Sequence, residues 1–301
     1  MSSESVASPR AIAPVQAAFR RQGEWRRAWR RFIRFKPAVA GLVMIGGIAL
    51  LAILSPIFAP YDPYAIDTTV RGAPPSLAHP FGIDEVGRDM LSRVIYGSRV
   101  AMIVGLSATG ISLVIGALVG AAAGYFGGFV DALLSRIVDA LIAFPLLVLL
   151  IAMAAAVGPS LRNVVIIIGV TVWGQYARVV RADVLSLRER EFVTAARTVG
   201  ASDARIIVRH ILPNVLGPLI VLASLSVAGI ILLESALSFL GLGTQPPTPS
   251  WGSMLAAGRT YILTYPHIAL FPGLAIVVTV LGFNLLGDGL RDALDPRGSR
   301  G

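Results

Sequence analysis

Residues 38–59, 100–125, 133–157, 164–184, 216–240 and 268–286 form six apolar stretches, each bounded by polar or arginine-bearing segments. A helix needs roughly 20 mostly apolar residues to cross the hydrocarbon core of a bilayer. Inside that core every backbone N–H and C=O must be satisfied within the segment, so runs of this length are restricted to spanning helices. The expected fold is therefore all-α, a polytopic membrane bundle with six transmembrane helices. With 55% hydrophobic and 14% charged residues, the composition lies outside soluble globular usage.

Charge orients the bundle. Arg20, Arg21, Arg26, Arg27, Arg30, Arg31 and Arg34 precede the first span, and further arginines fill residues 178–209 and the C-terminus at Arg291, Arg297 and Arg300. The alternate gaps hold only Arg71, Arg88, Arg93, Arg99, Arg162 and Arg259. The positive-inside rule then places both termini in the cytoplasm, N-in and C-in. The expected organisation is a basic tail over 1–36, with Trp25, Trp29 and Phe32 lying on the membrane surface. A first span with an outer segment follows over 37–99. A core of five spans over 100–290 carries the polar loop 185–213, and a second tail covers 291–301.

Composition also excludes chemistry. The net charge of +9 is spread through gaps between spans and not over one soluble face, which argues against nucleic-acid binding. There is no cysteine, hence no disulfide and no thiolate ligand or nucleophile. Lys36 is the sole lysine and follows no glycine-rich turn, so the chain has no phosphate-cradling Walker A loop. If ATP drives this protein, another chain binds it. His79, His210 and His267 are scattered across both sides of the expected bundle and make a poor metal constellation.

Several smaller features set expectations for the bundle. Gly116, Gly120 and Gly124 repeat every fourth residue and line one helix face for close packing. Pro145, Pro213, Pro218 and Pro272 would each free a carbonyl and permit a bend. On the outer side a helix is expected over 84–96, its acids Asp84, Glu85 and Asp89 first and its arginines later. A proline-rich turn and a short amphipathic helix follow within 241–267. Arg136 and Asp139 form an expected local pair, and Glu234, in the outer part of the fifth span, is either an interfacial hydrogen-bonded group or, with Asp139, a candidate for the translocation path.

The polar island 191–213 stands out from this scaffold. Ser186 with Glu189 has the spacing of a capping box, and Phe192, Ala195, Ala196 and Val199 share a helical face. Gly200 is expected to end that helix and Ser202 to cap the next, which runs to Pro213. A docking element and a plain surface loop both fit this pattern.

The residues carry a resemblance here. Ala195, Ala196, Gly200, Leu212 and Pro213 stand in register with the EAA loop of ABC importer permeases, with Thr194 where that motif has glutamate and His210 where it has isoleucine. The charge at the first position is missing, while the alanine face and the glycine turn remain. The stretches 79–100, 123–128 (AGYFGG), 236–255 and 283–296 resemble the second permease subunit of dipeptide, oligopeptide and nickel importers.

The resemblance implies a type I importer fold in a bacterial inner membrane. It also implies a homologous permease as heterodimeric partner, two ATPase subunits that bind ATP and magnesium, and an extracytoplasmic solute-binding protein. No catalytic, cofactor or metal site is expected in this chain. Glu191, Thr194, Ala195, Ala196, Gly200, Ala201, Ser202, Leu212 and Pro213 become the expected ATPase-coupling residues. Peptides are the implied substrate, with nickel complexes or glutathione as alternatives. A proton-coupled transporter without an ATPase would need buried acids along a path, and only Glu234 offers one.

Overall fold

The computed structural model describes residues 29–294; the expected surface-bound tail up to residue 28, with Arg297 and Arg300, lies outside the described residues. The helices are α1 (Lys36–Ile53), α2 (Ser55–Phe58), α3 (Met90–Phe126), α4 (Gly128–Ala143), α5 (Leu146–Val157), α6 (Leu161–Leu187), α7 (Glu191–Thr198), α8 (Asp203–Ile206), α9 (Leu212–Phe239), α10 (Trp251–Thr260) and α11 (His267–Leu294). α1, α3, α6, α8 continued into α9, and α11 are each long and apolar enough to cross a bilayer, and α4 with α5 makes a sixth crossing bent by 89°. Among the described residues the fold is all-α, with one antiparallel bridge between Ile83 and Asp89.

Proline shapes three of the crossings. The first expected span divides at Leu54, because Pro56 has no N–H for the Ala52 carbonyl; Ser55 Oγ donates to that carbonyl instead, at 3.2 Å. The third expected span breaks outright. Phe144 is extended (φ −79°, ψ 139°), the conformation that a following proline imposes, and Pro145 starts α5 in a new direction. Between α8 and α9 the chain widens into a π turn over Ile207–Ile211. Pro213 leaves the Arg209 carbonyl without its N–H, and the wider turn accommodates the ring.

The glycine stripe performs its expected packing role. A Cβ on Gly124 would lie 2.8 Å from Val184 Cβ, and one on Gly116 or Gly120 would strike the backbone of α6. α3 and α6 therefore approach at backbone distance along their cytoplasmic halves. At the opposite edge, Phe32, Ala38 and Ala293 pack together, so both ends of the described chain lie on one side.

The outer segment differs from expectation. Residues 84–88 form a turn and the helix starts only at Met90. Gly87 takes φ +100°, outside the helical region, and Asp84 Oδ1 accepts from the Val86 and Arg88 amides at 3.0 and 2.8 Å. Asp89 is the N-cap, accepting from Ser92 N at 2.7 Å, and its other oxygen lies 2.9 Å from His79 Nδ1. His267 Nε2 lies 3.0 Å from the Ile83 carbonyl, so each outer histidine serves local structure. α10 is capped as a closed box by Ser250 and Ser253, and Trp251 Nε1 donates to the Val94 carbonyl of α3 at 2.9 Å.

The expected Arg136–Asp139 pair does not form. Arg136 and Asp139 lie three residues apart on α4, yet Asp139 meets Arg178 of α6 at 2.7 Å. One turn nearer the cytoplasm Arg181 holds Asp131 in a fork, its Nη2 at 2.7 Å from Oδ2, with Ser135 donating to the same carboxylate. These two bridges fasten the broken span to α6. Asp131→Ala leaves the half-buried Arg181 without its partner and should cost about 1–3 kcal/mol, toward the lower end because the pair is partly solvated. The measurement is thermal unfolding in detergent with a double-mutant cycle to Arg181→Ala: the double variant should be no less stable than Asp131→Ala.

Candidate functional site

The island 191–213 folds as a hairpin whose underside belongs to the bundle and whose upper side does not. Val193, Ile206 and Ile211 are fully buried, packed with Val180 and Val184 of α6 and with Val215 of α9. The capping box expected at Ser186 is absent: α6 runs on through Leu187, held by the same packing, and Glu189 pairs with its neighbour Arg188 at 2.9 Å. α7 starts at Glu191 after Arg190, with no side-chain cap.

α7 ends as its sequence suggests. Gly200 takes φ +80°, its N–H bonds the Arg197 carbonyl at 3.0 Å, and Ala201 N–H reaches back to Ala196 O at 3.1 Å. This pair of bonds is a Schellman closure, which requires the left-handed conformation at Gly200. Ser202 precedes α8 in extended conformation, but its side chain makes no capping bond. The second helix is not a separate short one; α8 continues through the π turn into α9 as a single 37-residue stretch.

The apolar face is divided. Ala196 turns inward, while Phe192, Ala195, Val199 and Gly200 stay exposed, Val199 at 83%. Together with Ala201, Arg205, Arg209 and His210 they line a shallow open concavity of ≈ 490 Å³. Glu191, Thr194 and Ser202 are exposed along the same hairpin; Leu212 and Pro213 are partly buried at its base. A small-residue floor with a cationic rim can accept an apolar knob framed by acidic or polar groups.

Glu234 and Asp139 lie apart from the hairpin and from each other. Glu234 is 1% exposed and accepts from Ser238 Oγ at 2.7 Å and Ser235 Oγ at 3.4 Å, sealed inside the outer half of α9. Asp139 is exposed on a cavity of ≈ 450 Å³ between α3, α4 and α6. The structure gathers one site at the hairpin and does not join these two carboxylates into a path.

A cluster that the sequence reading missed lies beneath the hairpin. Tyr125, at the end of α3, donates to Asp203 Oδ1 at 2.6 Å, and the Arg197 guanidinium sits 5.2 Å over its ring. The Tyr125 hydroxyl holds the Arg197 guanidinium above its ordinary value. Arg188 Nη1 donates to the Gly124 carbonyl at 3.1 Å. The available signal was an aromatic with a hydroxyl at the end of an apolar span, which needs a partner when buried.

Residues 112–300, hairpin included, match the family model described as binding-protein-dependent transport system inner membrane component. Residues 23–75 match the N-terminal transmembrane domain of oligopeptide transport permease C. A dipeptide transport system permease protein of Alkalihalophilus pseudofirmus is 43% identical over 284 residues, 94% of this chain and 93% of the relative. A probable D,D-dipeptide transport system permease protein of Escherichia coli K12 is 47% identical over 259 residues, 86% and 87% of the two chains. A glutathione transport system permease protein of Escherichia coli O6:K15:H31 is 44% identical over 276 residues, 91% and 90%.

Among solved structures, the inward-facing MetNI methionine ABC transporter has a chain that superposes with a TM-score of 0.54 at 19% identity, over 68% of this chain and 98% of that one. That likeness establishes a type I importer-permease fold. The chain belongs to the family of inner-membrane components of binding-protein-dependent transport systems.

Proposed function

We propose that this chain is one of two permease subunits of an ATP-driven importer of short peptides. Its partner is a homologous permease, and the pair sits on two ATPase subunits that bind ATP and magnesium. A solute-binding protein on the outer face delivers the substrate. The observation that carries this reading is the hairpin: its underside is locked into the bundle while Phe192, Ala195, Val199 and Gly200 remain uncovered. A face of small and apolar residues left unpacked on the arginine-rich side of a membrane protein marks a protein contact. Glu191, Thr194, Ala195, Gly200, Ala201 and Ser202 provide the docking surface, Ala196 seats it on the bundle from beneath, and Leu212 and Pro213 join it to α9. Closure of the ATPase dimer on ATP moves the hairpin, and the bundle alternates between inward-open and outward-open forms.

The peptide assignment rests on relatives named for dipeptides and for glutathione, which share a peptide backbone. Proteoliposomes holding the four membrane-associated subunits and supplied with the binding protein test the proposal. Uptake of labelled dipeptide should require both ATP and the binding protein, and competition with unlabelled glutathione or a nickel complex ranks the substrates. Uptake driven by a proton gradient without ATP would overturn it.

A further inference from the structure

The cytoplasmic end of α3 meets the hairpin at Tyr125. The Tyr125 ring lies in the buried cluster that includes Val193, Ala196 and Ile206 of the hairpin, and its hydroxyl donates to Asp203, the first residue of α8. Arg197 of α7 stacks over the same ring. Tyr125 thus touches both arms of the hairpin at once.

The opposite end of α3 holds the outer face. Trp251 of α10 donates to the Val94 carbonyl, and its indole lies over Gly97, where a Cβ would come within 2.6 Å of the ring. Between these ends α3 is an unbroken 37-residue helix. At ~1.5 Å per residue it measures about 55 Å, well beyond the hydrocarbon core. The other crossings, except α6, contain proline: Pro37 in α1, Pro145 at the α4–α5 break, Pro213 and Pro218 in α9, and Pro272 in α11. α6 enters the hairpin through the chain itself and packs on α3 along the glycine stripe. α9 also packs on α10, where a Cβ on Gly252 would strike the Ser235 carbonyl, but like α6 it is continuous with the hairpin; α3 is an unbroken helix that links the hairpin to α10 and can be uncoupled from the hairpin without cutting the chain.

We propose that Tyr125 is a positioning residue of the transport cycle: by holding Asp203 it makes α3 follow the hairpin, so that movement imposed by the ATPase reaches α10, and occupancy at the outer face is felt at the ATPase. The inference rests on the reading that the hairpin docks the ATPase. Tyr125→Phe keeps the ring, its packing and the Arg197 stack and removes one hydroxyl. Asp203→Ala removes the acceptor.

The test uses the full complex in nanodiscs with peptide-loaded binding protein. Both variants should copurify with the ATPase subunits and keep basal ATP hydrolysis. The stimulation by loaded binding protein and the peptide uptake should each fall about tenfold, the scale of one lost hydrogen bond to a carboxylate. The double variant should be no worse than either single one.

Wild-type stimulation in Tyr125→Phe, or losses that multiply in the double variant, would overturn the inference. Loss of copurification would overturn it too, since Tyr125 would then be needed merely to fold the hairpin. A wild-type complex whose hydrolysis ignores the binding protein would instead remove the docking reading, and this inference with it.

Discussion

Gly200→Val should abolish transport while the protein still inserts in normal amount. Gly200 closes α7 at φ +80°, where a β-branched residue is strained by about 1–3 kcal/mol. Its missing Cβ points into open space, with no atom of the chain within 4 Å, so the bundle does not resist the substitution. The bulk falls on the surface proposed for docking, where overpacking costs another ~1–3 kcal/mol. Together these weaken docking between about thirtyfold and about twenty-thousandfold at ~1.4 kcal/mol per decade. Gly200→Asn separates the two effects, because asparagine tolerates the left-handed conformation while still adding bulk. It should fall between wild type and valine. Uptake in proteoliposomes, measured beside ATP hydrolysis, reads both: transport lost with hydrolysis no longer tied to substrate is the expected pattern.

Gly120→Leu should act at the opposite level, removing the protein from the membrane. A Cβ there strikes the Ala177 carbonyl and lies 2.8 Å from Val180 Cβ. Backbone cannot swing aside as a long side chain can, so α3 and α6 must separate, and in lipid their association depends on that close fit. The cost should exceed about 3 kcal/mol, the upper part of the range for overpacked cores. A membrane immunoblot should show the protein nearly gone. Gly110→Ala is the control on the same helix: with no neighbour within 4 Å, it should leave the protein level unchanged.

The contrast between these glycines shows what the sequence could convey. Six crossings, the Gly116–Gly120–Gly124 stripe and the Gly200 turn are written in local periodicity and local φ preference, and all three are present in the structure. Pro145 signalled a bend, but not that α4 and α5 would part by 89°, because that angle depends on Asp131 and Asp139 finding Arg181 and Arg178 some 40–50 residues away. Proximity in sequence suggested Arg136 for Asp139 and a box at Ser186, and in both places tertiary packing prevailed. Gly87 overrode the acid-first pattern that suggested a helix from Asp84. The Tyr125–Asp203 bond spans 78 residues and leaves no periodic trace.

At the hairpin the alanines and glycine could be read directly, whereas the division between a buried Val193–Ala196 side and an exposed Phe192–Ala195–Val199 side could not. It follows from how α7 rests on Val184 and Ile206. Thr194 and His210 leave the proposed docking surface defined by shape and by the Arg205 and Arg209 rim, without the glutamate of the related motif.

The absence of cysteine allows the most direct measurement, because a single introduced thiol is a unique reporter in this chain. Val199→Cys places it on the most exposed apolar residue of the hairpin, and Leu77→Cys places a control on the outer segment. In the permease pair without its ATPase subunits, a membrane-impermeant maleimide should label Val199→Cys only from the cytoplasmic side, and adding the ATPase subunits should protect it while Leu77→Cys stays reactive from outside. Equal labelling of Val199→Cys with and without the ATPase subunits, or labelling from the outer face of intact cells, would contradict the assignment of this hairpin as the joint between membrane bundle and ATPase.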